Sequence, residues 1–500
     1  MRFRPLAIAL GLAAALAVAS ALSAARAASG PLGFDDARHL LNRTSFAANV
    51  EDVNAFAQLT REQALDRLLA WTKTPRVNPP PQWVAEPFES PRRVRTLSEE
   101  ERKLFQRQQF EKGIELRAWW LAEMLATSSP FTEKMTLFWH NHFVSSQQKV
   151  RSPQLMYRQN LLLRQYALGN FGEFLHAVSK DPAMVIYLDN ASNRKGQPNE
   201  NFAREVMELF TLGEANYAER DIKEAARAFT GWSVDPDSGE FLFRRFQHDD
   251  GVKTVLGRSG NFDGDAVLDI LLAQLQTAEF IVRKLWREFV SPTPDPQEVT
   301  RIARVFRDSR YEIKAALRAL LASDAFYALE NRGLLIKSPV DLVVGTLRQF
   351  GFTTGEPTPF VFATAQLGQN LFAPPNVKGW PGGEAWINST TLLARKQFLD
   401  RLFRADEMRP VAAAMGGGPG DVDQAKGIGR LGNDGRARFV RVIADIHFDS
   451  RKWLSQFRTD DPAALQRLVL ATAPANPLPP AVQGMEAIRH LTQDPAYQLK

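Results

Sequence analysis

The residues that could do chemistry in this chain are imidazoles and carboxylates, because the 500-residue sequence contains no cysteine. Disulfides, thiolate zinc sites, Fe–S clusters and cysteine nucleophiles are therefore excluded. Seven histidines are present, and His140 and His142 stand two positions apart among aromatic residues. Side chains two residues apart on a helix point in nearly opposite directions, so this pair can hold one metal ion only if the helix ends there. Otherwise each is a core histidine that hydrogen-bonds among aromatic side chains.

A second polar set lies on the segment 199–210, which carries an apolar helical stripe. Glu205 borders this stripe, and Glu208 follows about one turn later. Burying a carboxylate against apolar side chains is costly unless a cation or a donor meets it, which favours a functional role for both acids. The structural alternative is an ordinary ion pair between Arg204 and Glu208, which are four residues apart.

A third polar set, His248 and Asp249, precedes an Asp-Gly pair at 250–251. Asp-Gly between two short runs of apolar and β-branched residues is a strong signal for a hairpin turn. The pattern predicts a β-hairpin over 241–256 in which His248 pairs with Lys253.

Two tryptophans, Trp380 and Trp386, lie in and just after the segment 374–383, which is rich in proline and glycine. Such a segment is typical of a rigid turn. The two rings either stack on a sugar or a peptide, or fill the core, where tryptophan is usually found.

The elements that must position these residues are mainly helices. Apolar residues recur at spacings of three and four along most of the chain, as in helices that bury one face. Ser98 and Glu101 predict a capping box at the start of a long helix, and Asp263 and Ser338 are predicted N-caps. We therefore expect a mainly α fold, a large multi-helix domain with one small inserted β-hairpin.

The first 27 residues have the layout of a secretory signal peptide: a short basic segment, an Ala/Leu-rich run and an Ala-Arg-Ala cleavage site. The alternative is an uncleaved anchor, because the run is close to the minimum length of a membrane span. Cleavage removes three arginines and no acid, so the formal charge of +6 falls to +3. We expect an exported protein, periplasmic or extracellular, with no later membrane span. The small charge gives no support for nucleic-acid binding.

The rest of the chain divides by composition. A helical domain is predicted over 28–405, with a proline-rich loop at 73–96 in which proline prevents regular helix. A glycine-rich linker at 406–437 then separates a C-terminal helical extension, 438–500, which we expect to be loose.

Several of these segments together resemble the bacterial family called "domain of unknown function eighteen hundred", over roughly residues 34–405. The segments that carry the resemblance are 139–143, 199–213, 226–232, 248–257 and 375–386. The resemblance implies an envelope or extracellular role, since members of the family are commonly exported. It also implies a sulfatase-like protein partner, because the two genes often lie side by side, but it implies no particular reaction.

These features support two hypotheses about function. The first is an exported hydrolytic enzyme in which the motifs converge to hold a divalent metal (zinc, iron or manganese) or to provide acid–base catalysis. Its residues are His140, His142 and His248 as metal ligands, Glu205, Glu208, Arg204 and Asp249 as catalytic groups, and Asn201, Lys253, Trp380 and Trp386 as binding groups. The second is a non-catalytic envelope protein that binds a partner, in which the same residues form a buried polar network.

Overall fold

The computed structural model describes residues 30–70, 72, 76–415, 445–457 and 462–500, with the backbone alone for 405–415 and 462. The predicted signal peptide, 1–27, lies outside the described residues.

Helices dominate the described part of the chain, which confirms the mainly α fold. The twelve that precede the first strand are α1 Gly33–Thr44, α2 Val50–Ala57, α3 Arg61–Ala70, α4 Pro91–Thr96, α5 Glu99–Ala126, α6 Pro130–His142, α7 Gln147–Val150, α8 Pro153–Tyr166, α9 Phe171–Ser179, α10 Pro182–Tyr187, α11 Asn201–Glu205 and α12 Glu219–Ala228. A π-helical turn, Val206–Thr211, continues directly from α11.

Four three-residue strands follow and form two separate antiparallel hairpins. They are β1 Trp232–Val234, paired with β2 Phe241–Phe243, and β3 Lys253–Val255, paired with β4 Arg258–Gly260.

The predicted turn at Asp-Gly 250–251 is wrong. The hairpin turn of β3 and β4 is formed by Leu256 and Gly257, whose φ angles of 48° and 78° are both positive, as a type I′ turn requires. Lys253 therefore pairs with Gly260 rather than with His248.

Eleven helices complete the described part of the chain. They are α13 Gly264–Leu272, α14 Leu275–Phe289, α15 Pro296–Asp308, α16 Ile313–Leu321, α17 Asp324–Tyr327, α18 Pro339–Phe350, α19 Thr358–Gln366, α20 Ser389–Met415, α21 Ser450–Leu454, α22 Pro462–Val469 and α23 Gly484–Gln493. Among the described helices, none combines the length and the apolar character that a bilayer span requires.

The predicted helix starts are confirmed. Ser98 accepts from the backbone N–H of Glu101, and the Glu101 carboxylate accepts from that of Ser98, so α5 begins with a capping box. Asp263 and Ser338 cap α13 and α18 in the same way, by accepting from a backbone N–H three residues later. These bonds satisfy donors that the first turn of a helix leaves unpaired.

The proline-rich loop contains more helix than predicted. Within 76–96 the chain forms a 3₁₀ turn, Gln82–Ala85, and the short helix α4. Pro91 occupies the first helical position, where its missing N–H removes no hydrogen bond.

The C-terminal segment packs on the domain instead of forming a loose extension. Trp453 is buried against Phe350 of α18, with ring centroids 4.7 Å apart, and its indole Nε1 donates to the Gln349 carbonyl at 2.9 Å. Near the start of the chain, the Arg38 guanidinium of α1 donates to backbone carbonyls of Arg467 and Leu470. One continuous hydrophobic core therefore includes residues from both ends of the described chain.

The boundary of the predicted linker also moves. Helix α20 continues to Met415, so the first ten residues of the segment 406–437 are helical. The glycine-rich remainder, 416–437, lies outside the described residues.

Candidate functional site

The His-x-His motif stands at the C-terminal end of α6, and its two imidazoles enter different environments. His140 is fully buried and accepts at Nε2 from the backbone N–H of Phe372 at 3.2 Å. Its ring packs against Trp120 and Trp380, at centroid distances of 5.3 and 5.6 Å. Burial, together with the charge of Arg117, lowers the pKa of His140 to about 3. His140 is thus a neutral core histidine.

His142 is also buried but contacts a lysine. The ammonium of Lys284, on α14, donates to His142 Nδ1 at 3.0 Å. Since an ammonium can only donate, Nδ1 is the acceptor and the proton of the neutral imidazole lies on Nε2. Burial and the charge of Lys284 lower the pKa of His142 well below its ordinary value.

Lys284 itself is held at several points in a poorly solvated position. Besides His142, its Nζ donates to the Leu209 carbonyl at 3.3 Å and lies 4.9 Å from the centroid of the Phe280 ring. Burial, and next the positive charge of Arg287, lower the pKa of Lys284 to about 8. A lysine in such surroundings is available for proton transfer near neutral pH.

His142 and Lys284 line a cavity of about 370 Å³, a size that is usual for small-molecule sites. The wall includes apolar and aromatic side chains from α6, the segment 335–336 and the loop 380–386. These are Leu137, Phe138, Leu335, Ile336, Trp380, Pro381 and Trp386. The predicted binding residues Trp380 and Trp386 therefore line the cavity, although both are largely buried.

One side of the cavity is a network of four charged side chains, of which three are buried and Glu288 is 31% exposed. Lys134 of α6 and Lys500 both donate to the Asp341 carboxylate, and each lies 3.3 Å from a carboxylate oxygen of Glu288. Burial alone would raise the pKa of Asp341, but the two ammonium groups lower it far below its ordinary value. These two cations and two anions compensate one another, so the network forms a polar wall of the cavity.

The loop that carries Trp380 is fixed to the His-x-His motif by its central asparagine. Asn141 Oδ1 accepts from the Trp380 backbone N–H at 2.7 Å, and its Nδ2 donates to the Trp380 carbonyl at 3.3 Å. Gly379 adopts a φ of +80°, and a Cβ atom there would lie 2.2 Å from Asn141 Oδ1. Only glycine allows this approach, so the motif and the loop form one structural unit.

The predicted catalytic acids lie beside the cavity and are not part of its lining. Glu208 accepts from the Tyr217 hydroxyl at 2.7 Å and lies 3.8 Å from Lys378, which does line the cavity. Burial, and next the charge of Glu208, raise the pKa of Glu205. Lys378 thus connects the acids to the cavity mouth.

The predicted ion pair between Arg204 and Glu208 is wrong. The Arg204 guanidinium binds both carboxylate oxygens of Glu219, at 2.8 and 2.9 Å, and one of Glu200 at 3.3 Å. Asn201 donates to the Leu188 carbonyl at 3.2 Å. Both residues therefore brace the segment around α11 and contribute no side chain to the cavity.

The π-helical turn that follows α11 contacts the lysine. Widening of the helix after Glu205 lets Leu212 donate to the Met207 carbonyl, five residues earlier. The Leu209 carbonyl in this turn accepts from Lys284. Such turns occur frequently at functional sites.

His248, Asp249 and Lys253 form a separate cluster that lines no part of the cavity. His248 Nδ1 bonds to the Thr230 carbonyl at 2.9 Å. The Arg227 guanidinium donates to Asp249 at 2.8 Å and lowers the pKa of that carboxyl to about 2. The buried Lys253 donates to backbone carbonyls of Asp249 and Gly251. All three side chains are bound within the protein, as expected of groups that stabilise a loop.

The described residues do not form the predicted metal centre. Among them, no three His, Asp or Glu side chains are arranged to hold one ion. At His142, the ammonium on Nδ1 would also repel a divalent cation.

The sequence motifs did not identify the lysines and Arg287. Lys284 lies on α14 next to the apolar stripe that includes Ile281 and Leu285, both fully buried. A cation at the edge of such a stripe was a usable signal for a partly buried charge. Lys500 and Lys134 are 366 residues apart, and no local pattern relates them.

The fold and the cavity define a mainly helical protein with a lysine-rich, partly aromatic pocket. Residues 39–499 match the model of a family described as "protein of unknown function (DUF1800)", and the chain belongs to this family. The match extends beyond residue 405, where the expected resemblance ended, and includes the C-terminal helices. No curated protein and no solved structure matches the chain.

Proposed function

We propose that this protein is an exported acid–base hydrolytic enzyme whose active site is the cavity, with Lys284 as the proton-transfer group and His142 as its orienting partner. The observation that carries the proposal is the 3.0 Å hydrogen bond between Lys284 Nζ and His142 Nδ1 at the wall of that cavity. Export rests on the composition of residues 1–27, and periplasmic or extracellular location is part of the proposal.

The hydrogen bonds of Lys284 suit a general base. A neutral amine has two N–H groups, and two acceptors surround Nζ: His142 Nδ1 and the Leu209 carbonyl. With both hydrogens bound, the lone pair occupies the remaining tetrahedral direction and can accept a proton from water or a substrate hydroxyl in the cavity. The ammonium then returns this proton to the leaving group.

The surroundings favour the neutral form. Burial and Arg287 lower the pKa of Lys284 to about 8, so at pH 7 about a tenth of the amine is neutral. The Asn141 contacts to Trp380 hold an aromatic part of the cavity wall in place, which reduces the reorganisation that catalysis would require.

The test is a panel of 4-nitrophenyl esters, phosphates, sulfates and glycosides offered to the protein lacking residues 1–27. We expect hydrolysis of one class, with a rate that rises as pH increases through about 8 and falls at least about 100-fold in Lys284→Met. Lys103→Met is the matched control, because Lys103 is exposed on α5 and pairs with Glu99 at 2.7 Å. Absence of hydrolysis across the panel, or a rate unchanged in Lys284→Met, contradicts the proposal.

The second candidate function is a non-catalytic envelope protein that binds a sulfatase-like partner. The observation that favours it is the N-terminal half of α5, where Leu104 and Phe110 are 57% and 66% exposed. A partner would cover such apolar side chains. This candidate predicts that Leu104→Ser/Phe110→Ser loses capture of the sulfatase-like protein, while Lys284→Met retains it. Equal capture by both variants argues against it.

A further inference from the structure

The charges of the cavity do not balance, and the excess is positive. Its lining contains five cationic side chains, Lys134, Lys284, Arg287, Lys378 and Lys500, and two anionic ones, Glu288 and Asp341. Lys134 and Lys500 are compensated by these two acids within the network. The excess within the lining therefore comes from Lys284, Arg287 and Lys378, although Lys378 pairs with two acids outside the lining, Glu214 and Glu208.

Arg287 and Lys378 are the two exposed cations of this group, so they lie at the cavity mouth. Among the described residues, Arg287 makes no ion pair, although it stands one turn after Lys284 on α14. Lys378 lies 3.2 Å from Glu214 and 3.8 Å from Glu208, and its side chain is 63% exposed. A guanidinium without an internal acid has all its donors available for a carboxylate, a phosphate or a sulfate.

Beyond these cations the cavity is largely apolar. Trp380, Trp386 and Phe138 line it together with proline and aliphatic side chains. An inorganic ion would leave this surface uncovered, whereas a ring attached to the anionic group would bury it.

We propose that the cavity binds a small organic anion, with its carboxylate, phosphate or sulfate group held at the mouth by Arg287 and Lys378 and its ring or apolar part placed between the aromatic walls. This inference rests on the proposed function for its site, and it adds the class of substrate. The anion-binding residues differ from Lys284, so the two claims can fail independently.

The test measures binding to the protein lacking residues 1–27 by calorimetry. The probes are phenyl phosphate, phenyl sulfate, benzoate, inorganic phosphate and neutral benzyl alcohol. We expect at least one aromatic anion to bind at least about tenfold more tightly than both benzyl alcohol and inorganic phosphate. Which of the three anions binds best identifies the anionic group.

Arg287→Gln should weaken this binding about tenfold or more, and Arg287→Gln/Lys378→Gln should weaken it further. Arg283→Gln is the matched control, because Arg283 lies on the same helix, pairs with Glu279 at 2.8 Å and does not line the cavity. Equal binding of benzyl alcohol, unchanged binding by Arg287→Gln, or no binding of any anion at about 10 mM overturns the inference.

The two claims are separated by Lys284→Met. Retained anion binding with lost hydrolysis supports both claims. If the anion binds but hydrolysis does not depend on Lys284, the proposed function is contradicted and the anion site stands. If hydrolysis depends on Lys284 but no anion binds, only the anion site is contradicted.

Discussion

The most informative single side chain is Lys284, because its environment opposes its own charge. A fall of the pKa from 10.5 to about 8 corresponds to about 3 kcal/mol of unfavourable free energy for the ammonium in the folded state. Strongly shifted pKa values are enriched at functional sites, and here the shifted lysine also lines the cavity. His140, by contrast, is fully buried as a neutral imidazole that accepts a backbone hydrogen bond from Phe372 and packs among aromatic rings.

At the residue scale we predict a pH-dependent effect of Lys284→Met on stability. Because the folded pKa is lowered, the unfolded chain binds more protons than the folded protein between pH 8 and 10.5, so the stability of the unsubstituted protein rises with pH through this window. The methionine variant lacks that rise. From pH 7 to about pH 10.5, the free energy of unfolding of the unsubstituted protein should therefore rise by about 3 kcal/mol relative to that of Lys284→Met.

Urea unfolding of both proteins at the two pH values measures this difference. Lys103→Met, on an exposed lysine, should show no pH-dependent difference. If the free energies of unfolding of Lys284→Met and the unsubstituted protein differed by the same amount at both pH values, the ammonium would be well solvated and the prediction would be wrong.

Local sequence patterns predicted part of the site and missed part of it for identifiable reasons. The segments that contain Asn141 and Trp380 were identified because each has an unusual local sequence, and in the structure these two residues contact each other. Arg204 pairs with Glu200, four residues earlier, and not with Glu208, four residues later, and Glu219 adds a bidentate contact from another helix. The spacing rule gave no direction, and no spacing rule links Lys284 to His142 across 142 residues.

At the scale of elements, helix ends position several of the residues discussed above. The end of α6 places His142 beside α14. The capping boxes at Ser98 and Ser338 could be predicted because each involves residues only three positions apart. The turn between β3 and β4 could not be predicted from the sequence, since Leu256 is an unusual residue for positive φ. At 250–251 the Asp-Gly signal was present, but the Asp249 carboxylate accepts the Gly251 N–H and binds Arg227, which fixes a different turn.

Two helices, α9 and α13, are joined by a pH-sensitive contact. His176 of α9 bonds to Asp265 at 2.9 Å and to Asp269 at 3.0 Å, and Lys180 also pairs with Asp265. The hydrogen bond with Asp265 raises the pKa of His176 above its ordinary value of 6.5. The stabilisation is therefore fully present below pH 6.5 and is lost as pH rises through the folded pKa.

We expect His176→Gln to lower the free energy of unfolding at pH 5.5 and to have little effect at pH 8.5. The side chains are partly exposed, so the effect at pH 5.5 should be about 1 kcal/mol or less. Thermal unfolding at both pH values provides the measurement. An equal loss at pH 8.5 would assign the contact to packing and not to charge.

At the scale of the whole molecule, the described residues share one hydrophobic core, and the C-terminal helices are part of it. The expectation of a loose tail came from the glycine-rich composition of 416–437, which indicates nothing about the segment that follows it. Trp453, Leu468 and Tyr497 are all buried in the same core as Phe350.

Trp453→Ala should therefore destabilise the entire domain, by about 3–5 kcal/mol, because it leaves a cavity against Phe350. Phe110→Ala, at an exposed position on α5, is the control and should change stability by no more than about 0.5 kcal/mol. Urea unfolding followed by fluorescence gives both values. If the main urea transition of Trp453→Ala had an unchanged midpoint, the C-terminal helices would unfold separately from the rest of the domain.

The contacts of Arg38 with residues 467 and 470, and of Lys134 with Lys500 through Asp341, also have a kinetic consequence. Contacts between residues that are hundreds of positions apart must wait until long loops have closed, and chains rich in them fold slowly. The polar wall of the cavity should thus be among the last parts to form. A refolding protein would regain its helices first, and the ability to bind a ligand in the cavity would return in a later, slower phase.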